Sequence, residues 1–220
     1  DFATLIEYVS EITEIKRIRF STSHPNEMND ALIDCFKNID KLAKMLHLPI
    51  QAGSDKVLSA MKRNYTVLEY KSIIKKLRKI CPEVSITSDF IIGFPNETLE
   101  DFNATKKVME ELEFDYSYSF IYSPRPGTPA AYIKDSTTHE EKLKRLHDLQ
   151  ILNINQGEVF TKKMLGTTQR VLIDGISKRK TGVFLGKTDN NRVVEIEGDE
   201  SLLNKFVNVK IDKILNKNKY

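Results

Sequence analysis

Four short apolar, β-rich runs recur through the first 130 residues, at 17–21, 45–49, 84–92 and 116–122, and helical patterns separate them. Phe2, Leu5, Ile6, Val9 and Ile12 make one helical face, and Leu32, Ile33 and Phe36 another. Ser54 stands as an N-cap before Val57, Leu58 and Met61. Thr66 and Glu69 form a capping box ahead of Leu68, Ile73, Ile74, Leu77 and Ile80. Thr98 and Asp101 open a further helix that buries Phe102, Val108, Met109 and Leu112. Regular strand–helix alternation predicts right-handed βαβ units, a parallel sheet, and ligands at the carboxyl ends of its strands.

The pattern changes after Pro129. A long helix is expected from 140 to about 164, with Leu143, Leu146, Leu149, Leu152 and Ile154 on one side. Beyond Gly166 the period becomes two, and strands are expected at 169–176, 182–187, 192–197 and 206–214. Short antiparallel strands carrying Lys and Arg suit a small OB-like barrel. A chain of 220 residues has room for two such domains, with a boundary near residue 160.

Charge divides in the same way. Residues 151–220 hold 13 Lys and Arg against 8 Asp and Glu, whereas residues 1–150 hold 21 against 23. A basic tail on a neutral body suits a module that meets a polyanion, although a Lys- and Asn-rich bias without function gives the same numbers. No apolar stretch approaches 18 residues, so no transmembrane helix is expected, and the acidic N-terminus is no secretory signal. Cys35 and Cys81 lie far apart, which gives neither a disulfide framework nor metal-ligand spacing and fits a reducing cytoplasm. The four histidines show no zinc spacing. The chain opens on Asp1 and a four-strand sheet would leave edges bare, so it is expected to be a piece of a longer protein. The last barrel is expected to stop about one strand short of closure.

Each expected strand of the first part ends in a polar or Gly/Pro-rich turn: STSHP at 21–25, PIQAGS at 49–54, SDFIIGFPNET at 88–98 and SPRPGTP at 123–129. Gly93 would let a ligand approach the backbone, and the amides opening the next helix could meet an anion. A tight strand-to-helix turn explains the same residues without a ligand. Gln51 is a strand-end amide suited to ligand hydrogen bonding. Arg125, between two prolines, suits phosphate or carboxylate pairing, and is equally an ordinary surface arginine.

Taken in order, RIRFSTSHP (17–25), LHLPIQAGS (46–54), MKR (61–63), SDFIIGFPNET (88–98) and FIYSPRPGTPA (120–130) resemble the radical S-adenosylmethionine methylthiotransferases. LGTTQRVL (165–172) and DNNRVV (189–194) resemble that family's C-terminal TRAM domain. The likeness is strongest to the branch that modifies N6-dimethylallyladenosine in tRNA. It implies an α/β fold: a partial parallel, TIM-like (βα) radical SAM barrel, then a small OB-like antiparallel β-barrel. Residues 1–160 would be the last four strands of a six-stranded barrel plus a bridging helix, and 161–220 the TRAM domain.

The resemblance implies S-adenosylmethionine and two 4Fe–4S clusters as cofactors, and tRNA as partner. The family's CxxxCxxC motif and three further cluster cysteines would precede Asp1, so these residues would ligate no cluster and catalyse nothing alone. The intact protein would place a methylthio group on C2 of N6-dimethylallyladenosine 37, beside the anticodon. Cofactor contacts would fall to Gln51, Ser21, Ser23, Arg63, Asp89, Gly93 and Phe94, with Arg63 pairing the methionyl carboxylate. Arg125, Arg170, Lys178, Arg179, Lys180, Lys187 and Arg192 would meet RNA phosphates, with Phe184 free to stack on a base. A cytoplasmic monomer without membrane contact is expected. The rivals are a sister enzyme acting on threonylcarbamoyladenosine or a ribosomal-protein aspartate, a non-catalytic RNA-binding protein, and an ordinary phosphate-binding α/β enzyme.

Overall fold

The computed structural model describes residues 1–22 and 24–215. Helices α1 (Phe2–Glu11) and α2 (Asp30–Asn38) precede strand β1 (Met45–His47). Then come α3 (Asp55–Ala60), α4 (Val67–Ile80), β2 (Ser85–Ile92), α5 (Leu99–Leu112) and β3 (Tyr116–Ile121). Strands β1, β2 and β3 form a parallel sheet in that order. Both capping boxes form: Thr66 with Glu69 opens α4, and Thr98 with Asp101 opens α5. Each joins side chains only three residues apart, so it needs no tertiary partner.

The run at 17–21 does not become a strand. Among the described residues it makes single bridges, Ile18 to Leu42 in the segment before β1 and Ser21 to His47 on β1. Its two arginines turn away to carbonyls of a second sheet: Arg17 donates to Lys187 at 2.7 Å, and Arg19 to Thr188 at 3.3 Å.

The sheet has two unlike faces. Ser88, Phe90 and Ile92 point to the helices, where Phe90 meets Phe114 edge-on at 5.5 Å and Tyr70, Leu77 and Leu58 are fully enclosed. Sealing side chains of this size stabilises a fold by about 1.5–3 kcal/mol each. On the other face lie His47, Thr87 and Asp89, in register with Tyr116 and Tyr118. Tyr118 and Phe120 there are half exposed.

The long helix α6 (His139–Lys163) packs on β2, β3 and α5 and leads to an antiparallel sheet. Strands β4 (Thr168–Ile176), β5 (Val183–Thr188), β6 (Val193–Glu197) and β7 (Phe206–Lys210) pair in the order β6-β5-β4-β7. A bulge between Ile173 and Gly175 bends β4. Val171, Ile173 and Phe184 form a separate small core. The fold is therefore α/β, with a parallel sheet followed by an OB-like antiparallel one.

Candidate functional site

The expected site lies where the parallel strands end. Gln51, four residues past β1, is 8% exposed and holds φ at 73°, a left-handed conformation rare outside glycine. Its main-chain amide donates to the Asp89 carbonyl at 2.9 Å, and its carbonyl accepts from the Ile91 amide at 2.8 Å. Its side-chain amide has no hydrogen-bond partner among the described residues. A strained backbone costs about 1–3 kcal/mol and persists where surrounding structure enforces it, often at a ligand clamp.

The turn after Gln51 is fixed from below. The Gly53 amide donates to Thr105 Oγ1 at 2.9 Å, and a Cβ there would lie 2.4 Å from the Thr105 Cα, so no side chain fits. Ser54 caps α3 and also donates to Asp101 at 2.6 Å.

Tyr65 sits between segments that carry expected residues. Its hydroxyl donates to the Ile50 carbonyl at 2.9 Å, and its ring meets His24 edge-on at 5.1 Å. Burial pushes the Tyr65 phenol up to about 12, opposed by the positive charge of nearby Arg63. Tyr65 thus links the Ile50 end of the turn that carries Gln51 to His24 in the loop after Ser21, with Arg63 nearby along the strand-end rim. Ser21 is exposed there; Ser23 lies outside the described residues.

Asp89 and Gly93 lie on the neighbouring strand and its turn. The Asp89 carboxylate stands 3.5 Å from His47 Nε2, and His47 Nδ1 lies 2.9 Å from the Thr87 hydroxyl. Gly93 (φ 70°) donates its amide to Glu97 Oε2 at 2.9 Å, and the stem of Lys142 fills the space beside its Cα. Both contacts shape the turn. Phe94 is buried and packs on Tyr122 with ring centres 4.9 Å apart.

Glu97 anchors this turn from inside the protein. Its carboxylate accepts from Arg145 Nη1 at 3.1 Å, while its Oε1 has no partner among the described residues. Burial raises its pKa, and the Gly93 amide and Arg145 counter this only in part. Sequence reasoning misses Glu97, His47 and Thr87. For His47 and Thr87 the available signal is alternation along 85–89, since Thr87 and Asp89 share a face with the end of β1.

The basic residues divide by partner. Lys178, Arg179 and Lys180 occupy the exposed β4–β5 loop, where Lys180 pairs with Glu195 at 2.5 Å. Lys178 and Arg179 carry no ion pair among the described residues. Lys187 is partly exposed on β5, and Arg125 is exposed in the turn after β3. Arg170 pairs with Asp40 at 3.3 Å and lies over the Phe206 ring at 4.1 Å. Arg192 donates to Asp115 through both terminal nitrogens, one at 2.7 Å. The expectation that Phe184 stacks on a base is overturned. It is 4% exposed beside Val171 and Ile173, because alternation along β5 turns it inward.

The strand-end rim fits a polar ligand such as S-adenosylmethionine: it offers the nearly buried Gln51 amide, the Asp89 carboxylate and the exposed Ser21 hydroxyl, with Arg63 nearby. The two cysteines do not fit an iron–sulfur cluster. Cys35 donates its thiol to the Ala31 carbonyl within α2, and burial, helped by Glu83, pushes Cys81 up to about 11. Among the described residues no group of three His, Cys, Asp or Glu could hold a metal ion.

Comparison with known proteins agrees with the fold. Residues 1–109 match the radical SAM superfamily model and residues 162–218 the TRAM domain model. A tRNA-2-methylthio-N(6)-dimethylallyladenosine synthase of Methylobacillus flagellatus is 58% identical over 98% of this chain and 49% of its own length. The protein of that name from Nitrosospira multiformis is 53% identical over 98% of this chain and 45% of its own length. The chain thus spans about half the length of the curated relatives it matches. Among solved structures, coproporphyrinogen III oxidase of Escherichia coli, described as a radical SAM enzyme, superposes with a TM-score of 0.58 at 16% identity. That match covers 86% of this chain and 51% of the other, and shows the shared fold. The chain belongs to the radical SAM superfamily and carries a TRAM domain behind its α/β part.

Proposed function

We propose that the whole protein is a tRNA methylthiotransferase that adds a methylthio group to C2 of N6-dimethylallyladenosine 37. The observation that carries this reading is near-complete coverage of the chain, at 50–58% identity, by relatives bearing that activity as their name. The strand-end rim supports it, since polar groups collect where a radical SAM enzyme needs a cofactor. S-adenosylmethionine, with two 4Fe–4S clusters ligated outside residues 1–220, would supply the radical and sulfur chemistry.

This chain's residues bind and orient. The Gln51 amide, Asp89, Ser21 and Ser23 hydrogen-bond the cofactor, and Arg63 pairs with its carboxylate. Gly93 and Phe94 fix the shape of the adjacent wall and so orient the cofactor. Residues 1–160 form the barrel portion and 161–220 the RNA-binding portion. Lys178, Arg179, Lys180, Lys187 and Arg125 meet RNA phosphates, whereas Arg170 and Arg192 are held by the protein's own Asp40 and Asp115. The protein works as a monomer in the cytoplasm, where its tRNA substrate is found. No helix among the described residues is long and apolar enough to cross a membrane.

The test is anaerobic purification of the full-length protein. Iron, sulfide and cleavage of S-adenosylmethionine are expected; an iron-free preparation that leaves S-adenosylmethionine intact overturns the proposal.

A further inference from the structure

The TRAM sheet meets the α/β part at the end opposite the candidate site. Asp115 immediately precedes β3, and Ser85, which donates to it at 2.5 Å, starts β2. Arg192 grips Asp115 with two nitrogens and reaches Thr161 on α6 with Nε at 3.4 Å. The side chains of Arg192 and Asp115 are 20% and 6% exposed.

Two further arginines hold the same turn from the α/β side. Arg17 donates to the carbonyls of Lys187 and Thr188 and pairs with Asp189 at 2.6 Å. Arg19 donates to Asn191 Oδ1 at 2.5 Å and to the Thr188 carbonyl. The Phe206 ring lies between Arg17 and Arg170, at 4.8 and 4.1 Å from their guanidinium carbons. Planar, multiply bonded guanidinium groups fix orientation as well as distance. A tethered module that swings freely would need none of these contacts.

We propose that the Thr188–Arg192 turn is a positioning lock: Arg192 on Asp115, with Arg17 and Arg19, holds the basic β4–β5 loop at a set offset from the strand-end site. The two ends of the sheet are separated by the length of β2, eight residues, or about 25 Å at the usual rise per residue. RNA held at Lys178 and Arg179 is then presented to the rim in one register. Arg192 acts through the lock. Its guanidinium is committed to Asp115 and leaves the phosphates to the exposed loop. This inference rests on the proposed tRNA activity only for its catalytic consequence.

The experiment uses full-length protein carrying Arg192→Gln, Arg192→Lys or Arg17→Gln. Amide exchange over 188–192 is read first, since it needs no activity. Arg192→Gln is expected to speed exchange there at least tenfold. Modified RNA per S-adenosylmethionine cleaved is read second and is expected to fall at least tenfold, with RNA affinity within threefold of wild type. Arg192→Lys, which keeps the charge and loses the fork, is expected between the two. Should Arg192→Gln fail to fold, Arg17→Gln carries the same two expectations at smaller amplitude.

Unchanged exchange over 188–192 overturns the lock. A fall in RNA affinity that matches the fall in product, with an unchanged ratio to cleavage, overturns it in favour of a phosphate contact. A wild-type protein that modifies no RNA refutes the proposed activity instead, and leaves the exchange arm to decide the lock.

Discussion

The Gln51 amide donates to the Asp89 carbonyl at 2.9 Å, which ties a left-handed, non-glycine residue to the neighbouring strand at the rim of the candidate site. In the proposed role the side chain serves the ligand while the backbone carries the strain, and two substitutions separate these effects. Gln51→Gly is expected to relieve about 1 kcal/mol of strain and raise Tm, while weakening S-adenosylmethionine binding of the full-length protein about tenfold. Gln51→Ala is expected to weaken binding equally without the gain in Tm. Calorimetric titration and thermal unfolding read the two effects.

Asp101 joins two strand-end turns through its carboxylate. Burial opposes its ionisation, but hydrogen bonds from Ser54, the Thr98 amide and hydroxyl, and Lys56 outweigh that and hold its pKa far below the ordinary carboxylate value. A depressed folded pKa stabilises above the unfolded value near 3.8 and loses that contribution as pH falls below it. Asp101→Asn is therefore expected to cost about 2 kcal/mol at pH 7, with a deficit that narrows below about pH 4. Denaturant melts at several pH values check this.

Glu97 has the opposite sign. Burial raises its folded pKa, so its contribution to stability declines as pH rises above the ordinary value of 4.5. Arg145→Met strands a buried carboxylate and is expected to cost about 3–5 kcal/mol at pH 7, less at pH 5. Adding Glu97→Gln is expected to recover most of that loss. A double-mutant cycle by denaturant unfolding measures it.

Much of this architecture is legible in the sequence because it is local. Thr66 with Glu69 and Thr98 with Asp101 act across one helical turn, and β2 is rich in β-branched and aromatic residues and closes on Phe90, Ile91 and Ile92. The run at 17–21 has the composition of a strand but does not form one, because Arg17 and Arg19 find partners about 170 residues away. Phe184 is hidden from sequence reasoning because alternation marks two faces without saying which is inside. Arg192 reads as a phosphate contact because its carboxylate partner is 77 residues distant. Gln51 is legible by its amide, but its left-handed backbone leaves no trace in a sequence where glycine is the usual signal.

The exposed basic loop supplies a separate prediction. Lys178→Glu with Arg179→Glu is expected to weaken RNA binding by the full-length protein. The slope of log K against log salt is expected to fall by about 0.7–0.9 for each phosphate that is no longer neutralised. Phe184→Ala is expected instead to destabilise the antiparallel sheet by about 3–5 kcal/mol. Its RNA salt slope is expected to stay that of wild type, because the ring fills the core. Filter binding across a salt series, with thermal unfolding beside it, distinguishes the two.

The most direct measurement is mass spectrometry of nucleosides from tRNA treated with the anaerobic, reduced full-length protein and S-adenosylmethionine. Prenylated tRNA is expected to gain one methylthio group on the dimethylallyladenosine beside the anticodon, and unprenylated tRNA to gain none. Prenylated tRNA left unmodified while S-adenosylmethionine is cleaved would contradict the assignment.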